Sequence, residues 1–223
     1  MADPDQHESR PSKQMPNDQG KAEGALEQRN RLLKLLRQEP RGAANRQSSE
    51  VLRLIECLEK ETPANLLSVG ALQELEGVWE LRWSSGKQPY LAVGPWLDNL
   101  QLLAPSQGRG MNLLRLAGPL SSALGIAVVA AINVEQHAGG ADGTTSQRVT
   151  VKFQKGGWLG PALMNKRLQW LRDVNQSFPA WLDITVLDHD LRVCRGNGGT
   201  VFALLKRHDL DLNELMPQSG SHT

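Results

Sequence analysis

The spacing of apolar residues changes once along this chain, from a helical period to a strand period near position 76. From Ala25 to about Gln38, Leu26, Leu32, Leu33, Leu35 and Leu36 recur among Arg29, Arg31, Lys34 and Arg37, which predicts an amphipathic helix with a basic outer face. Pro40 and Gly42 interrupt it. Ser48 or Ser49 is placed to cap a second helix, on which Val51, Leu52, Leu54, Ile55 and Leu58 share a face and which Thr62-Pro63 ends. A short apolar link, Leu66 to Leu75, follows. Two helices on short connections are too small to be a domain alone, so this hairpin needs a surface to pack on.

Beyond Glu76, Trp79, Leu81 and Trp83 alternate with Glu80, Arg82 and Ser84, the pattern of a half-buried antiparallel strand. Tyr90 to Leu103 fits a helix or a loop followed by a strand. Met111 to Leu116 reads as extended, and Ile126 to Glu135 is rich in β-branched residues. Gln147 to Lys155 alternates cleanly, and Gly156-Gly157 is expected to end it. Arg167 to Arg172 fits a helical turn or an irregular strand, and Leu182 to Leu187 a further strand. Gly196-Asn197-Gly198-Gly199 lies between two alternating runs, a hairpin signature because such a turn needs positive φ. Short strands at this spacing predict a closed or nearly closed antiparallel barrel.

The chain's 223 residues suffice for one domain with attachments, expected as an arm over 1–24, a helical lead-in over 25–75, the barrel over 76–207 and a polar tail over 208–223. A net charge of +1 argues against a dedicated nucleic-acid binder. Cys57 and Cys194 are far apart and have no metal-ligand spacing, which disfavours a disulfide scaffold or a structural zinc. The first 24 residues are polar and carry both charge signs. They read as a disordered arm, neither a secretory signal nor a transit peptide, so a cytosolic protein is expected.

The run from Leu116 to Val134 has no charged residue and is about the minimum length for a membrane span. Gly118-Pro119, Gly125 and Asn133 break it, which favours a loop and a buried strand over a transmembrane helix. A third reading makes Ala117 to Ile126 an apolar lip that touches lipid. The glycines at 196–199 open no helix, so they are a turn and not a phosphate cradle. Asp188-His189-Asp190 is read as an Asx-stabilised turn, because successive strand residues point to opposite faces and do not converge on one ion. No nucleophile elbow, metal-ligand spacing or cofactor motif stands out, and no catalytic residue, metal ligand or cofactor is assigned. The basic face of the first helix fits anionic lipid or plain solvent.

Gly77-x-Trp79 near the first strand, together with Asp188-x-Asp190-Leu191-Arg192-Val193-x-Arg195-Gly196-Asn197-Gly198-Gly199-Thr200-Val201-Phe202, resembles the plastid lipid-associated protein family, also called fibrillins. The resemblance covers roughly Ala25 to Arg207, with Gly139 to Gly143 as a variable loop. It implies a mainly β, lipocalin-like antiparallel barrel preceded by a helical hairpin, α+β overall. It further implies non-catalytic binding of a lipophile such as a carotenoid, quinone or acyl lipid, or support of an isoprenoid-quinone enzyme or photosystem assembly through a protein partner. The lack of a transit peptide favours a cyanobacterial member, peripheral to the cytoplasmic side of the thylakoid membrane. In such barrels the Gly-x-Trp indole closes one end under an arginine. That role falls to Arg195 or Arg192, and Arg195 is preferred, as a cation–π contact worth roughly 0.5–2 kcal/mol. Gly77, Trp79, Arg195, Gly196, Asn197 and Gly198 are then structural, closing the barrel. Trp83, Val128, Ala130, Ile132, Val151, Phe153 and Val186 are the expected cavity lining, with Ala127, Ala130 and Ala131 leaving volume for the ligand.

Overall fold

The computed structural model of the chain describes residues 18–121, 124–138, 145–163, 166–176 and 180–216. Most of the expected arm, the insertion Gly139 to Gly143 and the end of the tail lie outside these residues.

Helix α1 (Asp18–Leu36) is followed by α2 (Ser48–Glu61) and the short α3 (Ala71–Leu75). The first helix is already formed at Asp18, the first described residue, and so precedes Ala25, because residues 18–28 hold no proline and are rich in Ala, Gln, Glu and Lys, which favour helix. Ser48 does not cap α2. Its hydroxyl donates to the Asn45 carbonyl (2.8 Å) and accepts the Trp83 indole N–H (3.1 Å).

Nine antiparallel strands follow: β1 (Gly77–Ser84), β2 (Leu97–Ala104), β3 (Arg109–Leu116), β4 (Gly125–Ala138), β5 (Thr145–Leu163), β6 (Lys166–Asp173), β7 (Ala180–Leu187), β8 (Leu191–Gly196) and β9 (Val201–Lys206). Eight of them close a ring in the order β1, β2, β3, β4, β5, β7, β8, β9, and β6 pairs with β5 outside that ring. The ambiguous stretch before Leu103 resolves as a short helical turn (Pro89–Leu91), a loop and β2. Gly156-Gly157 does not end a strand. A side chain at Gly156 would press on Val174, and one at Gly157 would strike the Trp170 carbonyl, so these glycines permit close approach within a sheet that continues to Leu163. In the β8–β9 hairpin the left-handed residue is Gly199 (φ 73°), whose N–H closes the turn onto the Gly196 carbonyl (2.9 Å).

Apolar side chains sort into three layers. The barrel interior holds Trp79, Leu81, Leu103, Ile132, Ile184, Cys194 and Phe202. A second layer lies between α1, α2 and the outer face of β1, β7, β8 and β9. The third covers the outer face of β1 to β4 with Leu210, Leu212, Leu215 and Met216, so the expected polar tail contributes a buried apolar clasp through α4 (Leu212–Leu215). Two β-bulges decide which layer a residue joins. The register of β1 on β9 shifts between Leu81 and Trp83, and that of β7 on β8 between Ile184 and Val186. One extra residue reverses the alternation, so Trp83 and Val186 turn from the interior toward the helices.

The helical hairpin is tied down by charge as well as by packing. Arg29 makes a bidentate pair with Asp188 (2.6 and 2.8 Å), Arg31 meets Glu50 (2.8 Å) and Arg37 meets Asp190 (3.5 Å), so most of the basic face of α1 is engaged with carboxylates. Asp188 Oδ1 also accepts the N–H groups of Asp190 and Leu191, the Asx turn expected there. Burial pushes the Asp188 carboxyl up, but Arg29 and the two N–H groups outweigh it and hold the carboxyl below its ordinary value of 3.8. A depressed folded-state value stabilises the fold above about pH 4, and this contribution fades as pH falls through it. Thermal melts from pH 6 to pH 2 are therefore expected to show Asp188→Asn less stable than wild type at pH 6, with the difference shrinking below about pH 4. A difference that stays constant across that range contradicts this assignment.

Candidate functional site

One end of the barrel is shut. Trp79 is fully buried, and its indole N–H donates to the Leu75 carbonyl (2.9 Å), pinning α3 across the opening. The Arg192 guanidinium lies 5.0 Å from the Trp79 ring and the Lys206 ammonium 5.2 Å from it. Lys206 also donates to the Glu74 carbonyl (2.7 Å). Arg192 donates to the Gln101 side-chain oxygen and, among the described residues, has no carboxylate partner. Burial pushes its guanidinium below its ordinary pKa and pushes the neighbouring Cys194 thiol up.

The arginine on the indole is thus Arg192, not Arg195. Arg195 shares a face with Leu191 and Val193, as its spacing says, but that face meets the helices, and Arg195 forms a bidentate pair with Glu59 of α2 (2.6 and 2.8 Å). Gly77 begins β1 at this closed end, whereas Gly196, Asn197 and Gly198 lie at the hairpin turn at the opposite end.

The wall opens at its side. β5 pairs with β7 over residues 148–151 and with β6 from Lys155 onward, leaving 152–154 without a strand on that edge among the described residues. The segment 174–176 patches the gap. The Gln176 side chain donates to the Val151 carbonyl (3.2 Å) and accepts the Phe153 N–H (2.6 Å), and Val174 N–H reaches the Gln154 carbonyl (2.9 Å). A cleft of about 700 Å³ lies here, and its apolar side is formed by Ile132, Val151, Phe153, Val174 and Trp181. Ala131, Asn133, Glu135, Thr150, Lys152, Asn175 and Gln176 supply small or polar rim. Ile132 and Val151 also belong to the interior layer, so the cleft and the barrel core share two side chains. Arg148 stacks on Trp181 (3.6 Å) while paired with Asp183 (2.8 and 2.9 Å), which fixes that indole at the rim.

Of the seven expected lining residues, Ile132, Val151 and Phe153 line this cleft. Ala130 is buried opposite Phe153, and Val128 is half-buried opposite Gly156. Trp83 and Val186 face the helical layer, so the space expected behind Trp83 is filled by α1 and α2. Ala131 borders the cleft, but Ala127 joins the outer layer. Sequence reasoning missed Gln176 and Trp181, because no periodicity marks a residue that substitutes for a strand. It also missed that His189, Asp190 and His208 bring donor atoms within 4.8 Å of one another, His208 being distant in sequence. There Asp190 already faces Arg29 (3.6 Å) and Arg37 (3.5 Å).

A family model for PAP_fibrillin matches residues 27–205. The chain belongs to the PAP_fibrillin family. No curated protein and no solved structure matches it. The barrel and the family membership together fit a lipid-associated protein. Among its described residues, no helix is long and apolar enough to cross a membrane.

The two arginines are separable by experiment. Arg192→Ala is expected to lower unfolding free energy by about 2–5 kcal/mol, through lost packing beneath Trp79. Arg195→Ala, at a partly exposed pair, is expected to cost roughly 1 kcal/mol or less. Urea titrations that reverse this order would contradict the assignment.

Proposed function

We propose that this chain binds a lipophilic small molecule or lipid (a carotenoid, a quinone or an acyl lipid) without catalysis, in the lateral cleft of its barrel, while associated peripherally with a photosynthetic membrane. The observation that carries this reading is the cleft itself, whose apolar side, beside the β5–β7 pairing, shares Ile132 and Val151 with the barrel core. Its volume, about 700 Å³, falls in the range of roughly 300–1,000 Å³ that small-molecule sites occupy. Binding there draws on apolar area removed from water, near 25 cal/mol per Å². The aromatic and aliphatic side selects for greasiness, and Asn133 and Thr150 offer a polar end of the ligand its hydrogen bonds. The cytoplasmic face of a thylakoid in a cyanobacterium is the location this reading favours.

A second reading, a scaffold for an isoprenoid-quinone enzyme or photosystem assembly, is favoured by a different observation. Asn99 donates to the Tyr90 and Ala92 carbonyls (2.9 and 3.4 Å), and Leu91 and Val93 of the same loop pack into the interior. The centre of the barrel is thereby filled by the protein's own side chains, which suits a rigid module.

Solvent extraction of the purified protein, followed by mass spectrometry and by uptake assays with added lipophiles, separates the two. Val151→Trp, which fills the cleft, is expected to reduce uptake at least tenfold while the far-ultraviolet spectrum is kept. Trp83→Phe is expected to leave uptake unchanged. A wild-type protein that carries no lipophile and takes none up, yet purifies with a stoichiometric protein partner, would replace the carrier reading with the scaffold.

A further inference from the structure

The two ends of the barrel differ in charge, and that difference assigns one of them a partner. At the end where β3 leaves off and β4 begins, Trp96 (78% exposed), Ile126 (63%) and Trp170 (66%) present large apolar surfaces to water, beside the exposed Leu124 and Leu168. Register places them together. Ala117 N–H bonds the Trp96 carbonyl (2.9 Å), Ile126 lies opposite both Leu114 and Trp158, and Trp158 lies opposite Trp170. The β5–β6 hairpin carries this surface past the closed ring, because among the described strands β6 pairs only with β5. Along the paired part of this hairpin, from Lys155 to Asp173, the sequence holds Lys155, Lys166, Arg167 and Arg172 against a single carboxylate, Asp173. The whole chain is nearly neutral, so this local excess is a strong asymmetry. Arg172 lies 4.8 Å from the Trp170 ring, joining cation and indole in one unit.

The opposite end also exposes apolar side chains, Leu67, Val69 and Leu72. Residues 67–76, however, contain Glu74 and Glu76 and no Lys or Arg. Hydrophobicity alone would not choose between the ends; charge does.

We propose that the β4 start and the β5–β6 hairpin form a docking surface for an anionic lipid bilayer, with Trp170, Ile126 and Leu168 entering the headgroup region and the Arg172 guanidinium beside Trp170 facing lipid phosphates. Indoles are favoured at that depth, where an apolar ring meets a wet interface. Basic residues close to a negative surface add to the attraction one by one. Docked this way, the barrel keeps its closed end, Trp79 and α3, away from the membrane. The lateral cleft, beside the root of the same hairpin, then lies near the lipid from which a lipophile would come. The inference rests on the reading above only in taking the partner surface to be lipid.

Co-flotation of the full chain with vesicles of phosphatidylcholine, or of phosphatidylcholine with phosphatidylglycerol, tests it. Binding to the anionic vesicles, weak binding to the neutral ones, and release by added salt support the proposal. The double variant Trp170→Ser with Ile126→Ser is expected to lose about tenfold or more in partitioning, and Arg172→Gln roughly fivefold. The pair Leu67→Ser with Val69→Ser is expected to change nothing. All five positions are surface ones, and circular dichroism checks each fold; the salt and headgroup dependence of wild type needs no variant at all. Equal binding to both vesicle types, or full binding by the Trp170→Ser/Ile126→Ser variant, overturns the proposal. So does a wild type that ignores vesicles and self-associates along β6. Uptake of lipophile in the same samples separates the two ideas: uptake without vesicle binding defeats docking alone, whereas vesicle binding without uptake upholds docking and defeats the carrier.

Discussion

How β5 divides its edge determines the rest of this structure. A strand from Thr145 to Leu163 is too long for one neighbour in a small barrel. Its first part pairs with β7 and closes the ring; its last part pairs with β6 and leaves the ring. Between them, backbone groups that a strand would satisfy are satisfied by the Gln176 amide and by Val174, because unpaired N–H and C=O groups are costly to bury. That substitution keeps the sheet intact and leaves room beside it. The lateral cleft and the projecting hairpin are both consequences of the same handover.

The closed end shows a different economy. Arg192 is a fully buried cation with an indole and one amide oxygen for company, and no carboxylate among the described residues. Carboxylates are used instead on the outside of the wall, where Glu80 (3% exposed) meets Arg41, Arg82 and Arg207, and Asp98 meets Arg41 and Arg115. Those pairs join the turn after α1 to β1, β2, β3 and the end of β9. The helical lead-in is therefore part of the barrel's outer shell, held by two bulges that turn Trp83 and Val186 toward it.

Much of this was legible in the residues. Clean alternation located β1, the first half of β5 and the β8–β9 hairpin, and leucine spacing located α1 and α2. The misplaced arginine and cavity residues share one cause: alternation gives parity but not the face, and a bulge reverses parity without a mark in the sequence. Leu191, Val193 and Arg195 do share a side, yet it is the helix side, so the arginine at Trp79 is the next residue of the other parity, Arg192. Trp83 and Val186 left the expected cavity for the same reason, whereas Ile132, Val151 and Phe153 lie at the opening. Gly156-Gly157 looked like a stop because glycine weakens strands, but here it admits the neighbouring backbone.

The central claim is that a lipophile enters through the gap between β5 and β7. It is tested most directly by soaking the protein with a diazirine-bearing fatty acid, irradiating it, and mapping the labelled peptides by mass spectrometry. Labels on Val151, Phe153 and the segment from Val174 to Trp181 are the expected result. Labels confined to the helical layer around Trp83, or none above the level seen with denatured protein, would contradict it.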